Sequence, residues 1–150
     1  MEVFRITKQS FAGALTASGS ANRWNVKGQQ VLYTGGSRSL ATLELVVHKG
    51  AIVPTDLYKV MVISLPDADH FYTQVQTRDL PQNWQSIAAY ATLQRLGSSW
   101  VEQAASLILK VPSAVIPFEY NYIINTEHPD FTENVKLVRT EPYFWDYRLF

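Results

Sequence analysis

Apolar and polar positions alternate from Glu2 to Thr7, a period of two that predicts a short strand. Lys8 to Asn22 is rich in Ser, Gly, Ala and Thr and is expected to be a loop. The β-branched and aromatic run Val31 to Thr34 predicts a second strand, closed by Gly35-Gly36. Ser37 or Ser39 can cap the following helix, because a hydroxyl accepts from a free N–H of the first turn. Leu40, Leu43 and Val47 recur at helical spacing and carry that helix through about His48. Tyr58 to Leu65 is the clearest strand, and Pro66-Asp67 ends it. Trp84 to Leu96 reads as a helix stopped by Gly97, with Ser98 or Ser99 capping a shorter helix that begins near Trp100. Leu107 to Val111 is expected to be a buried strand broken by Pro112, and Asn121 to Ile124 and Val135 to Arg139 are further strands. Strands predominate without regular βα alternation, linker or repeat, which predicts one α+β domain over residues 1–150.

Composition narrows the chemistry. The 150 residues are 47% hydrophobic, enough for one real core at this length. Lys plus Arg and Asp plus Glu are 13 each, so the formal charge is zero. A nucleic-acid-binding surface normally needs a basic excess, and none is expected to bind here directly. The absence of cysteine excludes disulfides and thiolate metal sites and permits a reducing cytoplasm. No apolar run reaches the roughly 18 residues of a membrane span, and the first residues lack a signal-peptide pattern. A cytoplasmic protein is the expectation. The aromatic tail, Tyr143 to Phe150, either packs on the core or lines an interface.

No Rossmann glycine pattern, Walker loop or H-E-x-x-H is present, and the three histidines, His48, His70 and His128, lie far apart. Other residues stand out. Arg5 sits inside an apolar strand: turned outward it meets water, and turned inward it needs an anion such as a phosphate. Arg23-Trp24-Asn25, followed by Gly28, puts a guanidinium, a large aromatic and an amide in one loop. Such a loop can grip a nucleotide, or the Trp can simply anchor it to the core. Glu44 lies beside the apolar stripe of its helix, as a pocket carboxylate or as a flanking residue reaching solvent. Tyr33 closes a strand next to a glycine turn, where either a ligand contact or a rim tyrosine fits. Ser113 follows a buried strand without a nucleophile elbow or partnered His, so a hydrogen-bonding or turn role suits it better than acyl chemistry. Asn121, Asn125 and His128-Pro129-Asp130 form a polar segment suited to turns.

Taken in order, Phe4-Arg5-Ile6, Arg23-Trp24-Asn25 with Gly28, Val31-Leu32-Tyr33, Ser39-Leu40-Ala41 through Leu43-Glu44, Leu96-Gly97 with Trp100, Val111-Pro112-Ser113-Ala114, and Asn121 through Asn125 with His128-Pro129 resemble the RES domain. The resemblance runs over roughly residues 4–131. It implies a split, twisted β core with surrounding helices, like the ADP-ribosyltransferases. It also implies the toxin of a bacterial toxin–antitoxin pair. Such a toxin depletes NAD⁺ by cleaving the nicotinamide–ribose bond, through hydrolysis or phosphorolysis. A protein ADP-ribosyltransferase toxin is the alternative, and a non-catalytic or RNA-directed toxin a more distant one.

Carried over residue by residue, the resemblance assigns Glu44, Arg5 and Tyr33 to catalysis. It assigns NAD⁺ binding to Arg5, Arg23, Tyr33, Glu44, Ser113, Asn25 and Asn121. Arg5 and Arg23 would hold the pyrophosphate and Tyr33 would flank the nicotinamide. Glu44 would meet the ribose and its developing positive charge, and Ser113 would bond the nicotinamide amide or its ribose. NAD⁺ is then a substrate, phosphate a candidate co-substrate, and neither a metal nor a prosthetic group is needed. The implied partner is an Xre-type antitoxin that blocks the pocket and itself binds DNA, in a complex compatible with a toxin dimer. Two departures stand out: Ile6 replaces the Tyr that some relatives carry after the first arginine, and Glu44 falls on a predicted helix where typical ADP-ribosyltransferases use a strand.

Overall fold

A computed structural model describes residues 1–48 and 57–149. Its strands are β1 (Glu2–Lys8), β2 (Val31–Gly35), β3 (Tyr58–Ser64), β4 (Tyr72–Gln74), β5 (Ile108–Pro112), β6 (Tyr120–Asn125) and β7 (Lys136–Tyr143). The helices are α1 (Arg38–Val47), α2 (Tyr90–Glu102) and the single turn α3 (Phe131–Asn134). The seven strands form one sheet in the order β4-β5-β6-β2-β1-β3-β7, antiparallel except where β4 meets β5. This is the expected single-domain α+β architecture with a split core.

The split has a definite place. β1 pairs with β3 along its whole length, and β2 pairs with β6 along its whole length. Between β1 and β2 only Phe4 and Gly35 are in register. The sheet therefore consists of two halves, β4-β5-β6-β2 and β1-β3-β7, which meet at one pair and then diverge. Three apolar clusters hold them. Val3, Met61 and Ile63 from one half join Leu32, Ile108 and Ile124 from the other, so this cluster ties the halves together. Leu93 and Trp100 of α2 pack with Trp24, Trp84, Leu109, Val111 and Ile123 on the first half. Phe4, Ile6, Val60 and Val62 pack with Ala41 of α1 and with Trp145 on the second. Trp145 meets Tyr58 edge-on at 5.4 Å, so the aromatic tail packs on the core through this residue, while Phe144 stays exposed. Among the described residues no helix is long and apolar enough to cross a membrane.

Several expected boundaries move. Ser37, not Ser39, caps α1, accepting from Leu40 N–H. The two helices expected around Gly97 are one: α2 runs through the glycine, and the expected start at Trp84 is a turn followed by a 3₁₀ segment at Ile87–Ala89. The buried face of α2 is Leu93, Gly97 and Trp100, a helical spacing in which glycine serves as the smallest core residue. A Cβ on Gly97 would fall onto the Trp24 carbonyl. β7 extends past Arg139 through Pro142, which an edge strand tolerates because proline's missing donor costs no ladder bond there. β4, at three residues, is too short to leave a periodic signal.

Candidate active site

Divergence of β1 from β2 leaves backbone groups of β2 without a ladder partner, and buried groups of this kind must be paired. Arg5 supplies the donor: its Nη1 bonds the Tyr33 carbonyl at 3.1 Å across the opening. A cleft of roughly 320 Å³ occupies the opening, lined by Arg5, Tyr33, Glu44, His48, Tyr58 and Asn121 among others. The arginine of the apolar strand thus points inward. Burial lowers its guanidinium below the ordinary value, yet arginine keeps its proton in proteins. Among the described residues no carboxylate lies within ion-pair reach of it, and its other N–H groups find no protein acceptor. A half-buried cation with no carboxylate beside it is suited to an anionic ligand.

To the same cleft α1 contributes Glu44. Both recorded hydrogen bonds of this carboxylate fall on Oε1: Ser113 Oγ donates at 2.8 Å and Asn121 Nδ2 at 2.6 Å. Among the described residues Oε2 receives none. The Ser113 hydroxyl also accepts from Val115 N–H at 3.1 Å and Ile116 N–H at 3.0 Å. With both lone pairs used, its proton must point at Glu44.

Tyr33 is fixed from the other side. Its hydroxyl donates to Asn25 Oδ1 at 2.6 Å and accepts from Trp24 N–H at 3.1 Å. Burial raises the phenol's pKa far above its ordinary value, partly opposed by the Trp24 N–H bond, so the hydroxyl remains a neutral donor. Its hydroxyl is thus engaged by the Trp24-Asn25 loop, its side chain packs against the α2 cluster, and the residue lines the cleft.

The structure therefore divides the expected residues. Arg5, Tyr33, Glu44 and Asn121 line the cleft; Arg23, Asn25 and Ser113 do not. Arg23, which the resemblance assigns to the pyrophosphate, donates from Nη1 to the carbonyls of Trp84 and Gln85 at 3.1 and 3.0 Å, and its guanidinium lies over the Tyr90 ring. Asn25 is fully buried, with Nδ2 on the Ser20 and Val26 carbonyls and Oδ1 on Tyr33, so nothing is left for a ligand. Ser113 is also buried, its hydroxyl saturated. These three act behind the cleft, clamping the Arg23-Trp24-Asn25 loop and holding Tyr33 and Glu44. Asn125 and His128 stabilise a turn through Glu127 N–H and Asp130 N–H. Phe11, Asn22, His48 and Tyr58 line the cleft without having been singled out. Only assembly of the split brings them together, and no local pattern marks them.

The model of the RES domain matches residues 2–146, and the chain belongs to that family. "Toxin Res" of Yersinia enterocolitica is 33% identical over 153 aligned positions, covering 99% of each chain. The "Prs ADP-ribosylating toxin" of Sphingobium is 34% identical over 142, covering 93% of this chain and 85% of its own. The toxin function of these relatives is the coarse function of this chain. A solved structure titled as the M. tuberculosis MbcT–MbcA toxin–antitoxin complex has a chain that superposes with a TM-score of 0.73 at 13% identity, covering 95% of this chain and 84% of its own. That likeness establishes the fold.

Proposed function

We propose that this RES-family toxin cleaves the nicotinamide–ribose bond of NAD⁺. The observation that carries the reading is an arginine and a glutamate facing one cleft at the sheet split, neither serving as the other's ion-pair partner. Arg5 has donors to spare for a diphosphate, in the two-pronged geometry guanidinium favours. Glu44 has Oε2 to spare for ribose hydroxyls and for the positive charge that develops at the anomeric carbon. The C–N electron pair leaves with nicotinamide, which departs neutral, so no general acid is required. Water or phosphate oxygen then bonds the anomeric carbon, and water's proton passes to Glu44 or to solvent. The Tyr33 ring flanks the departing base.

The direct test is loss of NAD⁺ with purified, antitoxin-free protein, with and without inorganic phosphate, followed by product identification. Free nicotinamide with ADP-ribose, or with its phosphorylated form, is the expected outcome and names the acceptor. An NAD⁺ pool left intact by folded protein would sink the reading. The name of the Sphingobium relative supports a second reading, transfer of ADP-ribose to a protein side chain from the same cleft. ADP-ribose label appearing on protein rather than in free product would decide for it.

Arg5→Ala is expected to raise KM for NAD⁺ about ten- to a hundredfold, the size of a charge-assisted hydrogen bond. An unchanged KM and kcat would make Arg5 purely structural. The same cation is proposed to anchor an antitoxin of the Xre class that closes the cleft with an anionic group. The MbcT-fold neighbour was solved as a toxin–antitoxin complex, which supports a partner of this kind. Arg5→Ala should therefore weaken the complex with the antitoxin, and equal affinity by titration calorimetry would refute that contact.

A further inference from the structure

We propose that Asn121 positions Glu44 for its chemistry, acting through the carboxylate rather than by touching a ligand. The proposal rests on the reading of Glu44 given above. Asn121 lies on β6, and its Nδ2 donates to Glu44 Oε1 at 2.6 Å. That is shorter than the ~2.9 Å usual for N–H···O bonds. The bond fixes which way the amide faces, because the reverse orientation sets Oδ1 against a carboxylate. With Nδ2 so committed, Oδ1 is buried and has no partner among the described residues.

A buried carbonyl oxygen without a donor costs stability, and native folds keep few of them. An apolar residue at this point of β6 would remove that cost. What asparagine supplies in return is the bond to Glu44. Ser113 alone would leave the carboxylate free to turn about a single contact. Two donors on one oxygen, from β6 and from the loop after β5, fix Oε1 and so aim Oε2. The orphaned acceptor is thus explained by a function rather than by folding.

Asn121→Ala and Asn121→Asp test this. In the alanine variant kcat is expected to fall about ten- to a hundredfold, the size of one hydrogen bond to a charged group. KM should stay close to the parent's, and the melting temperature should not drop, because the orphaned oxygen leaves with the side chain. The aspartate variant keeps the shape but sets a second carboxyl against Glu44. The two then share a proton, and the acid limb of the rate profile moves to higher pH than in the parent.

A raised KM at unchanged kcat would make Asn121 a ligand contact instead. Unchanged kcat with an unmoved acid limb would reduce it to a structural residue. Should the alanine variant fail to fold, the aspartate profile decides alone. Growth arrest on induction, at matched protein levels, is read in parallel because it presupposes no substrate. A parent chain that arrests growth while leaving NAD⁺ untouched would overturn the proposed reaction. Asn121 variants that arrest growth as fast as the parent would overturn the present proposal.

Discussion

Glu44→Gln is expected to lower kcat by at least about a hundredfold, while the fold and KM change little. The substitution separates charge from shape unusually well here. Both donors to the carboxylate, Ser113 Oγ and Asn121 Nδ2, fall on one oxygen. A glutamine carbonyl has two lone pairs and can take both bonds in place. The cradle survives, and what disappears is the negative charge together with the acceptor aimed at the cleft, where an NH₂ now stands. Electrostatic groups aimed at developing charge typically contribute about 10²–10³ in rate. Turnover measured at saturating NAD⁺, with a melting curve as control, reads the effect. Near-normal turnover would remove Glu44 from the mechanism. A large loss with a lowered melting temperature would instead place the charge among the contacts that hold α1.

The second strand and the long central strand were legible as compact apolar runs, which the structure buries nearly throughout, and the first helix by its helical spacing, although α1 buries only Leu40 and Ala41 and leaves Val47 exposed. The site was legible only as residues out of the ordinary. Arg5 drew notice because a guanidinium in an apolar strand must either face water or find an anion. Its actual environment depends on the divergence of β1 and β2, a property of strand pairing over 28 residues of separation that no local pattern encodes. Arg23, Asn25 and Ser113 show the converse. Their residue types suit nucleotide contact, yet Asn25 and Ser113 spend their side-chain polar groups on backbone or on another site residue, and Arg23 commits its Nη1 to two backbone carbonyls. Which donors are already used is settled by tertiary hydrogen bonds, and composition is blind to it. Of the residues that the resemblance to the RES family assigns to the site, Arg5, Tyr33, Glu44 and Asn121 line the cleft, and Arg23, Asn25 and Ser113 lie behind it.

The same distinction makes Gly97 the position where a single methyl group should do the most damage to the fold. Read as a helix stop, it would tolerate many residues. Read as an exposed interior position, Gly97→Ala would stabilise α2 by about 1 kcal/mol. The structure predicts the opposite sign. A Cβ here would overlap the Trp24 carbonyl oxygen and lie 2.7 Å from its carbon, and this is backbone, which cannot rotate away as a flexible side chain can. The Trp24 loop is also held by Gln94 Nε2 on the Asn22 carbonyl and by Arg23 on the Trp84 and Gln85 carbonyls, so it has little freedom to retreat. Overpacking of a rigid contact costs about 3 kcal/mol or more. For a chain of this length that corresponds to a drop of roughly 6–12 °C in melting temperature. Because Trp24 N–H and Asn25 Oδ1 together hold the Tyr33 hydroxyl, the displaced loop should carry Tyr33 with it and depress activity even below the melting point. A Gly97→Ala chain that melts higher than the parent and turns over normally would show that α2 and the Arg23-Trp24-Asn25 loop are not seated against each other. The positioning of Tyr33 would then need another source.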